Sequence, residues 1–225
     1  AVGGAQRGSA EVAIAGEFPP AADEQFEFRI LPLPGADGAP TDWAALTVTR
    51  GEAQSLTASA RVAAGGWYRL EVSQRRDEAV LHTAQVEPFG VGEVFVVAGQ
   101  SYAAGANDEL LKVIDPMERV VAYDRLKKTW AVAHDPQPNV GAGGTIWPPL
   151  GDHLVPLWRV PIGIVNVAVG GTSSRQWLPE TNLYANLAAA GLELGNFRAV
   201  LWQQGESDVI EKVRTETYVN NLTSI

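Results

Sequence analysis

The sequence predicts two folds in series: a small all-β domain over residues 1–88, then an α/β domain with a parallel sheet over residues 89–225. Three observations carry this. Before residue 88, apolar and polar residues alternate in short segments split by Gly, Pro and Asp, the pattern of antiparallel strands with one buried face. After it, continuous apolar runs alternate with helical spacing, the mark of an α/β layer structure. Three of those runs stop abruptly in polar turns that contain glycine.

The elements follow in order. Val12 and Ile14, then Phe26, Phe28 and Ile30, then Leu46 and Val48, then Tyr68, Leu70 and Val72 keep a period of two. Turns fall at residues 16–21, 32–40 and 65–66. Five or more short strands in this span suggest a small β-sandwich. Trp43, Trp67 and Tyr68 are either core aromatics or a platform for a sugar. Residues 91–98 are a buried strand and residues 107–114 a short helix. Residues 120–123 and 129–133 pair as a hairpin across residues 124–128. Residues 135–145 form a loop rich in Pro, Gly and Asn. Pro148 and Pro149 open a helix with Leu150, Leu154 and Trp158 on one side, short or kinked because of Pro156. Residues 160–169 are a second buried strand. Residues 182–194 are a helix with Leu183, Leu187, Ala190 and Leu194 on one face, stopped by Gly195. Residues 197–202 are a third strand, and a last helix starts near Asp208 and carries Val209, Val213 and Leu222.

Composition narrows the function. The chain has 225 residues, 46% of them hydrophobic and 19% charged, ordinary for a globular protein. A net charge of −9 without a Lys/Arg cluster argues against nucleic acid or an anionic membrane as partner. No apolar run approaches the ~20 residues needed to span a bilayer. Cysteine is absent, which excludes disulfides, thiolate metal sites and a cysteine nucleophile. That absence fits a secreted or periplasmic setting, and no leader peptide is visible at the N-terminus. His82, His134 and His153 are widely separated, so neither a metal nor another cofactor is expected.

The chemistry is expected at the three strand ends. They read Gly99-Gln100-Ser101, Gly170-Gly171-Thr172 and Gln204-Gly205-Glu206-Ser207-Asp208. If the strands are parallel neighbours, the turns share the edge where open α/β sheets bind ligands. Ser101 is the candidate nucleophile; the plainer reading is that it caps a helix. Gly171 can offer a backbone amide to a developing oxyanion, because glycine lets the backbone come close. The third turn adds a side-chain amide or hydroxyl. Glu206 and Asp208 are equally well explained as acids at a helix start.

These motifs, together with the Trp-x-Gln-Gly-Glu-Ser-Asp form of the third, resemble the SGNH hydrolase superfamily. Within it they resemble the carbohydrate esterases of the sialate O-acetylesterase and acetylxylan esterase group. The resemblance covers roughly residues 89–225, and the β-rich segment before it is similar to the accessory domain that precedes the catalytic domain in sialate O-acetylesterases. It implies a three-layer αβα, flavodoxin-like domain. It also implies a serine esterase that removes acetyl groups from acetylated sugars through an acyl-serine intermediate. Residue by residue, Ser101 matches the nucleophile, and the amides of Ser101 and Gly171 match oxyanion donors. Ser207 stands where the superfamily has Asn; the Gln-Gly-Glu form usual in the esterase group implies Gln204 as the third donor and Glu206 as a residue that buttresses the site. Gln100, Tyr102, Thr172 and Ser207 are the implied substrate contacts, although Tyr102 replaces the Asn usual after the serine.

The family base is a histidine three residues after an aspartate, near the C-terminus. No histidine follows His153, and a serine without a base is a poor nucleophile at neutral pH. The expectation is that the C-terminal part of the α/β domain, with Asp-x-x-His, lies beyond Ile225. The alternatives are a carbohydrate-binding protein or pseudoenzyme without a base, and an α/β-hydrolase. Against the last, no βαβ units precede Ser101.

Overall fold

A computed structural model describes residues 8–17, 24–49, 55–138 and 140–225. The chain is mixed α/β, with three sheets among the described residues. It divides into two compact units, Ala1–Gly92 with Arg159–Pro161, and Glu93–Trp158 with Ile162–Ile225.

The first unit holds two antiparallel sheets. One has the order β1 (Ser9–Glu17), β5 (Ser55–Ala63), β4 (Thr47–Thr49). The other runs β3 (Ala44–Ala45), β2 (Gln25–Pro32), β6 (Gly66–Arg76), β7 (Ala79–Val91). Alternation sets their faces: Ile14, Phe26, Phe28, Ile30, Leu56, Val62 and Tyr68 are buried, and their neighbours in sequence point out. The turn predicted at residues 16–21 falls largely outside the described residues.

The second unit is built on a five-stranded sheet in the order β10 (Thr129–Val132), β9 (Val120–Asp124), β11 (Ile162–Asn166), β8 (Glu93–Gly99), β12 (Ala199–Gln203). Strands β9, β11, β8 and β12 are parallel, and β10 closes the hairpin with β9. Every residue of β11 is buried, as a continuous apolar run in a parallel sheet requires. Helix α3 (Asn182–Leu194) starts on Thr181, whose hydroxyl accepts the Tyr184 amide, and it buries Leu187 and Ala190 against Val96, Val165 and Trp177.

Four expectations are corrected. Residues 107–114 form no helix. Their amides go instead to side chains from later in the chain: Leu111 to Asp135, Val113 to His134 Nδ1, and Ile114 to Asp152. Helix α2 (Trp147–Trp158) runs through Pro156 for 12 residues and buries Trp147, Pro148, Gly151 and Val155, not the predicted face. Residue 91 belongs to β7 and Gly92 breaks the run before β8. The last helix is two, α4 (Glu206–Ile210) and α5 (Thr215–Ser224).

Glu193 on α3 ties that helix to the hairpin. Its carboxylate accepts from Tyr123, Arg125 and Lys128, and the hydrogen bonds from Lys128 and Arg125 hold its pKa at about 2, down from 4.5. A depressed acid stabilises the fold above its unfolded pKa and loses that contribution as the pH falls to its folded one. Glu193→Gln is therefore expected to be less stable than the parent at neutral pH, by a small margin. Urea unfolding of the pair should show the gap closing between pH 4.5 and about 2; a gap unchanged across that range would refute the linkage.

Candidate active site

The parallel register aligns the strand ends. Gly99 lies opposite Gln203, and Val97 opposite Asn166. The Gln100 amide extends the ladder by donating to the Gln203 carbonyl at 2.9 Å. The chain then turns directly into α1 (Ser101–Ala104), with Ser101 as its first residue. Gly99 makes this possible: its φ is +127°, and a Cβ there would stand 1.9 Å from the Gln203 carbonyl oxygen.

A helix of four residues cannot hold itself together, so its backbone groups are satisfied from outside. The Ala103 amide donates to Gln203 Oε1 at 3.0 Å. The Ala103 carbonyl accepts from Trp147 Nε1 at 2.9 Å and Asn166 Nδ2 at 2.8 Å. The Ala104 carbonyl accepts from the Gly141 amide at 2.7 Å. Ser101 is thus fixed through the backbone behind it. Among the described residues, neither its hydroxyl nor its amide has a hydrogen-bond partner.

The second turn lies against this serine. A Cβ on Gly170 would be 4.0 Å from Ser101 Cα and Cβ. Gly171 has a φ of +72° with open space where a side chain would project, and among the described residues its amide is also free. A shallow cavity of about 390 Å³ opens here, lined by Ser101, Ala104, Gly105, Gly141, Val169 and Gly170.

The third turn is locked to the first two by side-chain amides. Buried Gln100 accepts through Oε1 from Gln204 Nε2 at 3.1 Å, the Gly205 amide at 3.3 Å and the Ser207 amide at 3.1 Å. Gln204 Nε2 also reaches the Thr172 carbonyl at 3.0 Å and Asp208 Oδ2 at 2.5 Å. Gln203 Nε2 donates to Glu206 Oε1 at 2.9 Å. The buried Asp208 carboxylate accepts both the amide and the hydroxyl of Ser174. Gln204 Oε1 and Glu206 Oε2 are buried without a partner among the described residues.

The structure therefore brings Ser101 and the glycine turn to one cavity wall, with Gln204 and Glu206 behind them. Of the expected substrate contacts, Tyr102 is half exposed. Gln100 and Thr172 are buried instead, with Thr172 Oγ1 bonded to the Val169 carbonyl and Trp177 Nε1. The Ser207 amide is used by Gln100. Asp208 acts through Ser174 and Gln204, beyond a helix-start role. Sequence reasoning gave no task to Gln203, Ser174 or Asn166. Asn166 did leave a signal: one polar residue near the end of an apolar strand needs a buried partner. No histidine bonds to Ser101 among the described residues: His134 accepts the Val113 amide, and His82 and His153 are exposed.

A probable carbohydrate esterase of Arabidopsis thaliana is 40% identical over 65 residues, 27% of this chain and 25% of that protein. The match thus spans a quarter of that relative's length. A solved structure of an Arabidopsis thaliana protein aligns with 59% of this chain and 65% of its own, at 26% identity and a TM-score of 0.47. That of a novel carbohydrate acetylesterase from Xanthomonas citri aligns with 88% of this chain and 48% of its own, at 20% identity and a TM-score of 0.41. The sequence profile of one family matches residues 91–225, most of the chain. The chain belongs to the carbohydrate esterase, sialic acid-specific acetylesterase family.

Proposed function

We propose that this chain supplies the nucleophile and oxyanion donors of a serine esterase that removes O-acetyl groups from sugars. The observation that carries the reading is the unpartnered Ser101 hydroxyl at the carboxyl edge of the parallel sheet, beside Gly170 and the free Gly171 amide. Ser101 Oγ attacks the acetyl carbonyl and its proton passes to a histidine. The amides of Ser101 and Gly171 hold the oxyanion. The C–O bond to the sugar breaks, the sugar leaves with the proton, and water then releases acetate from Ser101. Gln204 serves as the strut that fixes the turns, since the two hydrogens of its Nε2 already face three acceptors. Glu206 orients Gln203, which holds α1. No metal or other cofactor enters these steps.

The histidine, with its aspartate, is proposed to lie on a segment after Ile225 that completes a three-layer SGNH-type domain. The free edge of β12 supports this: β12 pairs only with β8 among the described strands. Val200 on β12, and Val209 and Ile210 on the helix that follows it, are 40%, 77% and 81% exposed, apolar surface that a further strand and helix would cover. The second reading, a sugar-binding protein without catalysis, is favoured by the lack of a histidine at Ser101 among the described residues.

The two separate in one experiment. The full-length protein is treated with a fluorophosphonate, and the adduct is located by mass spectrometry of peptides. A single adduct on Ser101, with acetate released from an acetylated xylan or an O-acetylated sialoside, supports the esterase. An unlabelled Ser101 and no acetate would leave the binding protein.

A further inference from the structure

We propose that the outward face of the β3-β2-β6-β7 sheet is a binding site for a neutral glycan, independent of the chemistry at Ser101. Strand alternation builds this face. While Phe26 and Phe28 turn into the core, Glu27 and Arg29 point outward beside Glu71, Ser73 and Arg75 of β6 and Thr83 and Gln85 of β7. Together with Trp43 they line a groove of about 420 Å³, within the ~300–1,000 Å³ typical of small-ligand sites.

Three features give the ligand its class. Trp43 is 42% exposed, and the Arg29 guanidinium sits 4.6 Å from its ring centroid, which holds the indole as a rigid apolar wall. Such a wall suits the C–H face of a sugar ring. The charges in the groove are balanced and already paired. Arg29 bonds Glu71 at 2.8 Å and Arg75 bonds Glu27 at 3.0 Å. Two cations and two carboxylates offer fixed donors and acceptors to vicinal hydroxyls, and no net charge to an anion. On the floor, Ser73 lies between Glu27 and Thr83 in the strand register. It is 3% exposed, and its hydroxyl has no partner among the described residues. A buried hydroxyl left unpaired is costly, and it makes the floor of the groove polar. The sequence left Trp43, Trp67 and Tyr68 as either core aromatics or a platform; Tyr68 is fully buried, and of the three only Trp43 lines the groove.

The test is affinity gel electrophoresis of the full-length Ser101→Ala protein, which binds without turnover, through gels containing xylan, galactomannan or mixed-linkage β-glucan. Retardation by at least one of these is expected, and Trp43→Ala should weaken it about tenfold or more. Gln85→Ala, on the exposed rim, should weaken it less while leaving the fold untouched. Equal unfolding curves for the three proteins exclude a folding artefact. If neither substitution alters retardation, or only anionic polygalacturonate retards the protein, or none of the neutral polysaccharides does, the proposal fails. Because Ser101 is already absent, a failed esterase reading would leave this result unchanged.

Discussion

Ser101→Ala is expected to abolish acetate release while leaving the fold intact. Removing the nucleophile of a serine hydrolase costs about 10⁴–10⁶ in kcat, because the attacking oxygen is the one group the oxyanion donors cannot replace. The fold should not notice. Among the described residues the Ser101 hydroxyl bonds to nothing, and α1 is held through the backbone of Ala103 and Ala104. Unfolding free energies of the two proteins should agree within about 0.5 kcal/mol, as for substitutions that touch no packing or bonding feature. Acetate assays and urea unfolding on the same preparations check both halves. An alanine protein retaining more than about a tenth of the parent rate would move the chemistry away from Ser101.

Gly99→Ala should do the reverse, destroying the site by way of the fold. The new Cβ would meet the Gln203 carbonyl oxygen at 1.9 Å and its amide nitrogen at 3.0 Å, and the φ of +127° is one that side chains rarely adopt. Both opposing atoms are backbone, so no side chain can swing away. Strands β8 and β12 would have to part at the point where Gln100 bonds Gln203. Backbone strain and steric overlap of this kind each cost about 1–3 kcal/mol, so a loss of about 3 kcal/mol or more is expected in urea unfolding. Labelling of Ser101 should fall with it. An alanine protein of parental stability would mean that the approach of the two strands is looser than described.

The contrast shows what the sequence makes legible. The end of β8 at Gly99 could be read because an apolar run cut off by glycine has one simple physical meaning, whereas β11 stops at Asn166, short of the expected residue 169, and β12 at Gln203. Helix α3 could be read because its apolar face and its stop at Gly195 agree, and the structure adds the cap at Thr181. Residues 107–114 could not, because their amides bond to Asp135, His134 and Asp152, and local periodicity carries no trace of partners so far along the chain. The face of α2 was misjudged for a related reason. Which stripe is buried depends on what packs against it, and residues 147, 151 and 155 repeat every turn as plausibly as Leu150, Leu154 and Trp158. The glutamines show the same limit. Their presence near the motifs was plain, but Gln100 turning inward to collect Gln204, Gly205 and Ser207 is decided by three dimensions.

That inward turn gives the enzyme-like edge a timetable. The partners of the Gln100 oxygen lie 104, 105 and 107 positions downstream, and loops of that length close late, after local helices and hairpins have formed. A nascent chain that has left the ribosome only as far as Gly171 carries the serine and the glycine beside it, yet none of the amide bonds that lock the three turns. The hydroxyl receives its setting only when residues 203–208 arrive. Labelling of Ser101 during refolding would then lag behind the recovery of helical signal.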